Sequence, residues 1–261
     1  MRAIHCAAMH APSPRRLFHA GPLACGGTAR LDAQASHHAL RVLRLEPGDA
    51  LELFNGDGLR YPARLLDADA RGASVSVGEP AAGGAESPLS IGLAQAVPAG
   101  DKMDWVVEKA VELGAVAIQP LYSRRSLLRL EGAREVKRLE HWRRIAIAAC
   151  MQCGRDRVPE IGAPVELGRW LSGDADGLRP APGALRLVLS PRGAGTLAAV
   201  APPVSAAWLL AGPEAGLAPE EESAALAAGW RSMRLGPRTL RAETAGLAGI
   251  AALQARLGDL G

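Results

Sequence analysis

The stretch that decides the fold is Leu235-Gly236-Pro237-Arg238-Thr239-Leu240-Arg241-Ala242-Glu243-Thr244, read with its shorter counterpart Gly212-Pro213-Glu214-Ala215-Gly216. Each follows a short apolar run of strand character, Trp230 to Leu235 and Ala206 to Ala211, and each precedes a segment that reads as helix. Gly-Pro turns at successive strand ends put backbone N–H groups, unobstructed by bulky side chains, where a small polar molecule can lie against the main chain. Open α/β folds bind ligands at such strand ends. One such turn is ordinary loop punctuation. Two in succession, the second carrying Arg238, Arg241 and Glu243-Thr244, predict a binding site. A third turn, Ser190-Pro191 after the strand Leu185 to Leu189, joins them. Leu189, Leu217, Leu235 and Leu240 then supply apolar walls suited to a nucleoside base. No G-x-G-x-x-G follows a strand and no G-x-x-x-x-G-K-[ST] is present, which argues against dinucleotide and P-loop folds.

Outward from these loops, strands and helices alternate back to residue 89. Strands are predicted at Leu89 to Ala96 and Val116 to Leu121. Helices are predicted at Asp101 to Leu113, with Met103, Val106, Val107, Ala110 and Leu113 inward, at Gly132 to Cys153, and at Leu240 to Leu257. In the last of these, Gly246 and Gly249 would let another backbone approach. Such alternation predicts a mostly parallel sheet covered on both faces. Residues 81–88, rich in Gly, Ala and Pro, read as a linker. Before them lie short strand candidates, Arg16 to Ala20, Ala50 to Phe54, Tyr61 to Leu66 and Ala73 to Val77, with a turn at Asn55 to Gly58. One helix, capped by Ser36, interrupts them, and the whole reads as a small barrel over residues 14–80. Residues 1–13 read as a flexible extension, and 89–261 as the α/β domain.

The chain has 261 residues and a formal net charge of +3, so it is no general polyanion binder. Its four cysteines, Cys6, Cys25, Cys150 and Cys153, do not make a disulfide scaffold. The Cys150-x-x-Cys153 pair has no second pair with which to form a zinc site, so no metal is expected. No apolar run is long enough to span a membrane and Met1 to His10 lacks a signal-peptide core, so a cytoplasmic location is expected.

Several segments resemble the RsmE family of SPOUT methyltransferases. The most specific are Gly212-Pro213-Glu214-x-Gly216-Leu217 and Leu235-Gly236-Pro237-Arg238-x-Leu240-Arg241-x-Glu243-Thr244. Lys102-Met103-Asp104, Lys109-Ala110-Val111-Glu112-Leu113-Gly114, Ser123-x-Arg125 and Gln152-Cys153-Gly154-Arg155 support them. Arg41-Val42-Leu43-Arg44 resembles the family's PUA-like RNA-binding barrel. The resemblance implies a SPOUT α/β domain with a deep trefoil knot, beside that barrel. It implies S-adenosylmethionine as cofactor, a homodimer, and methylation of N3 of a uridine in bacterial small-subunit (16S) ribosomal RNA, free or in the 30S subunit.

Under that reading Leu189, Ser190, Gly212, Pro213, Glu214, Gly216, Leu235, Gly236, Leu240 and Arg241 hold the cofactor. Arg155, Arg238 and Arg241 are the candidates for stabilising charge on the uracil ring, with an ion pair or phosphate clamp as the plainer role of each. Arg15, Arg16, Arg41, Arg44, Arg124 and Arg125 are the candidates for RNA contact. Two positions depart from the family pattern: Ala215 stands where glycine is usual, and Met151 where an acid is usual. Two other readings stay open, a SPOUT enzyme acting elsewhere, such as a ribose 2′-hydroxyl, and a non-catalytic RNA-binding ribosome-assembly factor.

Overall fold

The computed structural model describes residues 15–69, 72–127 and 129–261. The extension expected over 1–13 lies outside the described residues, as does Cys6. The chain divides into two compact units between Gly83 and Gly84.

The first unit comprises β1 (Arg16–Phe18), β2 (Thr28–Arg30), α1 (Ala33–His37), β3 (Ala50–Phe54), β4 (Leu59–Asp69), β5 (Gly72–Val77) and β6 (Ala81–Ala82). Five strands follow the order β1-β3-β4-β5-β2, and β6 pairs with β4. β4 shows why these residues form a half-buried strand. Tyr61, Ala63 and Leu65 are buried while Pro62, Arg64 and Leu66 are exposed, the period-two pattern of a sheet with one wet face. The inward set joins Leu17, Leu31, Leu51, Leu53 and Val75 in one apolar core.

Two expectations need correction here. Ser36 does not cap the helix. Asp32 does, accepting the Ala35 N–H at 2.7 Å, and Ser36 lies inside α1. The buried Ser36 hydroxyl donates to Leu31 O (3.1 Å) and accepts the Ala73 N–H (3.0 Å), joining the helix to the start of β5. Ser36→Ala should therefore cost about 1–3 kcal/mol in urea unfolding, because it strands a buried amide. The second correction concerns the linker. Ala81 and Ala82 pair with Arg60 and Leu59, so the sheet runs past residue 80. At the other end, the Ser87 hydroxyl donates to Gln254 Oε1 (2.7 Å) and Glu86 is bound by Arg155. Composition marks this segment as loop, but its two polar side chains have partners far along the chain.

The second unit contains β7 (Ser90–Ala96), α2 (Lys102–Glu112), β8 (Ala115–Tyr122), α3 (Ala133–Cys153), β9 (Glu160–Ile161), β10 (Val165–Glu166) and α4 (Leu167–Ser172). It continues with β11 (Leu185–Leu189), β12 (Gly195–Thr196), β13 (Ala206–Ala211), α5 (Pro219–Ala227), β14 (Arg231–Arg234) and α6 (Ala242–Leu257). The sheet order is β10-β8-β7-β13-β11-β14-β12, with β9 also on β8, and the pairings are parallel. Its central strands are buried on both faces, as parallel strands under helices must be. Along β13, Trp208 and Leu210 join Trp170 of α4, Ala225 of α5 and Trp230 in one cluster. Leu209 points the other way, toward Gly249 of α6. Gly246 and Gly249 admit Leu93 and Leu209 of the sheet within this chain. Within α2, Met103, Val106, Val107 and Ala110 are buried as expected, but Val111 takes the place predicted for Leu113, which is half-buried at the helix end.

One part of the topology positions everything that follows. The chain leaves β11, forms β12 at the sheet edge, and returns to β13 on the far side of β11. β14, made later, occupies the slot between β11 and β12. The outgoing connection passes close to β14 at Gly193, and Gly195 then pairs beside it in β12. A Cβ on Gly193 would lie 2.7 Å from Met233 C, and one on Gly195 2.7 Å from Ser232 O.

Candidate functional site

The three turns predicted from the sequence converge on one cavity of about 320 Å³ at the ends of β11, β13 and β14. Its walls include Leu189, Ser190 and Pro191, the whole run Gly212 to Leu217, and Leu235, Gly236 and Leu240. Glycine is required by geometry in the middle turn. A Cβ on Gly212 would lie 2.9 Å from Leu217 N, so the loop folds back on its own backbone. Gly216, at φ 68°, donates its N–H to Pro213 O (2.8 Å) and closes the turn. Ala215 is accommodated without strain, because Arg44 is the one non-glycine with positive φ among the described residues.

Glu214 lines the cavity, yet its carboxylate is committed elsewhere. Oε1 accepts the Ala99 N–H at 3.0 Å and Lys102 Nζ at 2.8 Å, tying the middle turn to the start of α2. Burial pushes this carboxyl up, and the hydrogen bonds from Lys102 and the backbone outweigh it, holding Glu214 below the usual carboxylate value. The same bond holds Lys102 above its usual value. Lys102 also lies 3.8 Å from Glu243 of α6.

The arginines expected at the site separate. Arg238 lines the cavity and is exposed. Arg241 stands at the N-terminus of α6, outside the cavity wall, with Nη1 4.0 Å from Glu243 and most of its side chain in solvent. Arg155 is somewhere else altogether. It is 2 % exposed, its Nη2 is 2.8 Å from Glu86, and its Nη1 donates to Val111 O (3.0 Å) and Ala115 O (2.7 Å). That environment makes Arg155 a buried tie within the second unit, and its candidacy for the chemistry is withdrawn.

Among the RNA-contact candidates, Arg16 is corrected too. Its side chain is buried, paired with Glu52, and lies 5.0 Å from the Phe54 ring centre, so it braces β1 against β3. Arg15 is at the surface, 2.9 Å from Asp49. Arg41 and Arg44 are exposed beside Val42, which is 58 % exposed. Arg124 pairs with Glu220 at 2.7 Å, and its backbone N–H goes to Glu221, which also accepts the Ala218 N–H at the head of α5. Arg125 turns out to line the cavity: its Nη1 donates to Ala215 O (2.9 Å) and Leu217 O (3.4 Å).

Sequence reasoning did not single out Arg192, Glu222, Met233, Arg234, Thr239, Ala242 or Ala245, which also form the wall. Arg192 and Arg234 directly adjoin the predicted turns, and that adjacency is the signal that could have found them. Glu222 carries no such signal, whereas Arg125 stands out in the sequence through the Ser123-x-Arg125 motif, for RNA contact and not for the cavity. Cys150 and Cys153 both sit in the last turn of α3, where the Cys150 thiol donates to Arg157 O at 3.5 Å.

A parallel α/β sheet whose cavity lies among three C-terminal loops, joined to a small PUA-like barrel, defines the class of SPOUT RNA methyltransferases. In keeping with it, the model of an RNA methyltransferase domain matches residues 85–254, and that of an RNA methyltransferase PUA domain matches 31–78. Ribosomal RNA small subunit methyltransferase E of Synechocystis sp. is 33% identical over 230 residues, covering 88% of this chain and 74% of that protein. The structure of the Neisseria gonorrhoeae protein of that name, bound to S-adenosyl methionine, superposes with a TM-score of 0.86 at 35% identity, covering 95% of this chain and 100% of that one. A Legionella pneumophila methyltransferase in complex with the bound cofactor SAM gives 0.86 at 34%, covering 95% and 99%. The chain belongs to the ribosomal RNA small subunit methyltransferase E family.

Proposed function

We propose that this protein transfers a methyl group from S-adenosylmethionine to N3 of a uridine in bacterial small-subunit (16S) ribosomal RNA, giving 3-methyluridine, and that it acts as a homodimer in the cytoplasm. The observation that carries this reading is the single cavity built from three strand-end turns in a chain of this family. The cavity fits the cofactor. Gly212 lets the middle turn fold back on its own backbone, Leu189, Leu217, Leu235 and Leu240 offer apolar faces to an adenine ring, and Ser190, Pro213, Glu214, Gly216 and Gly236 supply the close main-chain approach. When bound, S-adenosylmethionine supplies an electrophilic methyl group on a sulfonium, and the acceptor must be held in line with it.

The acceptor nitrogen carries a proton and attacks once that proton has left. A guanidinium nearby favours the anion and the charge on the flanking carbonyl oxygens. Arg238 on the wall and Arg241 at the head of α6 are assigned this role. Glu214 is not assigned proton removal, since Lys102 and the Ala99 amide already occupy its carboxylate. Arg15, Arg41, Arg44 and Arg124 are assigned to RNA contact.

The test is transfer of labelled methyl to small ribosomal subunits lacking their native modifications, followed by nucleoside mass spectrometry. Labelled 3-methyluridine supports the proposal. A ribose-methylated product moves the protein to another SPOUT activity, and RNA binding without transfer makes it an assembly factor. Within this reading, Arg241→Ala should lower kcat by about tenfold to a hundredfold. Because the side chain is mostly in solvent, the melting temperature should stay put. Full activity in that variant would exclude Arg241 from the reaction.

A further inference from the structure

The charges around the cavity are unevenly distributed, and the imbalance has a side. Four arginines line it, Arg125, Arg192, Arg234 and Arg238, against two carboxylates, Glu214 and Glu222. Lys102 already neutralises Glu214. Both acids come from the segment after β13, whereas Arg192, Arg234 and Arg238 all come from the sheet edge made by β11, β14 and β12. Other exposed arginines divide: Arg15, Arg30 and Arg124 face Asp49, Asp69 and Glu220, whereas Arg41, Arg44 and Arg143 have no ion pair among the described residues, and none of these lines the cavity. Arg192 and Arg234 have neither a hydrogen-bond nor an ion-pair partner for their guanidiniums among the described residues, and both are exposed.

Two unpaired guanidiniums beside a third, at the mouth of a cavity in a chain whose net charge is only +3, raise the local potential where a polyanion would arrive. Arginine's planar fork suits phosphate oxygens in particular. The placement is also specific. Arg192 follows the Ser190-Pro191 turn and Arg234 immediately precedes the Leu235 turn, so both flank loops that wall the cavity.

We infer that Arg192 and Arg234 form a phosphate-binding rim that seats the RNA backbone next to the target nucleotide, so that the target base enters the cavity from the β11–β14–β12 edge. This rests on the RNA methyltransferase reading above, and it adds the route by which the polynucleotide reaches the site. The role is electrostatic positioning. Neither residue is asked to touch the reacting atoms.

The test is equilibrium binding of an unmodified small-subunit ribosomal RNA transcript across a salt series, for the wild type, Arg192→Gln, Arg234→Gln and the double variant. Each lost phosphate contact should flatten the log Kd against log salt slope by about 0.7 and weaken binding by about fivefold at 0.1 M salt. The double variant should be about twentyfold weaker with a slope shallower by about 1.4. Arg192→Lys with Arg234→Lys should restore most of the slope. In turnover, KM for RNA should rise by a larger factor than any accompanying change in kcat or in the calorimetric affinity for S-adenosylmethionine. An unchanged salt slope in the double variant overturns the rim, as does a loss of cofactor affinity that matches the loss of RNA affinity. If the wild type binds RNA with the expected slopes but transfers no methyl group, the rim stands and the methyltransferase reading fails. If it methylates and the double variant is indistinguishable from it, the rim alone fails.

Discussion

Arg155→Ala is expected to destabilise the second unit by about 3–5 kcal/mol, the cost of removing one partner from a buried ion pair. The guanidinium is almost wholly enclosed and bridges three places: Glu86, the end of α2 at Val111, and the start of β8 at Ala115. Its removal leaves the Glu86 carboxylate, which also accepts the N–H groups of Asp156 and Arg157, without its countercharge. Two carbonyl oxygens lose a donor at the same time. Urea unfolding should show the loss in midpoint, and the fraction that stays folded at low temperature should keep near-normal kcat. Wild-type stability with abolished turnover would return Arg155 to the reaction.

Gly193→Ala should be nearly as damaging, at about 3 kcal/mol, because overpacking here has nowhere to go. The new methyl would sit 2.7 Å from Met233 C and 3.0 Å from both Met233 N and Arg234 N. Every one of these is backbone in a paired strand, so no flexible side chain can swing aside. The connection from β11 would have to lift off β14, taking Ser190, Pro191 and Arg192 out of the cavity wall. Loss of thermal stability and loss of cofactor binding should therefore appear together. Gly84→Ala, where nothing lies within 4 Å of the added atom, is the matched control and should behave as wild type. A Gly193→Ala protein as stable as the control would mean that this close approach is looser than its geometry.

What the sequence made legible followed apolar run length. β11 and β13 are near-continuous hydrophobic strands, and both were bounded to the residue because buried parallel strands advertise themselves that way. β9, β10 and β12 have two residues each, too few for any period to register, and α4 is only a turn and a half with a glycine inside it. The cavity turns were legible because Gly-Pro pairs mark strand ends. The burial of Arg155 and Arg16 is illegible in the sequence for a common reason. Their partners, Glu86 and Glu52, lie 69 and 36 positions away in sequence, and nothing local distinguishes an arginine with a buried carboxylate from one in water. Ser36 was misplaced by one turn because Asp32, four residues earlier, satisfies the helix start and frees the serine for a long-range bridge.

The slot between β11 and β12 has a consequence for biosynthesis. As the chain emerges from its N-terminus, both flanking strands exist well before residues 231–234, which must then fill a gap that their neighbours have left open. The cavity draws its wall from Arg125, residues 189–192, 212–217, Glu222, and Met233 to Leu240 except Pro237, with Ala242 and Ala245, so its last pieces are made after β11, β12 and β13. A chain interrupted anywhere before residue 233 lacks one whole side of the pocket, however well its earlier part has folded. Occupancy of this site thus requires a chain extended through residue 245, because any shorter one lacks part of the wall.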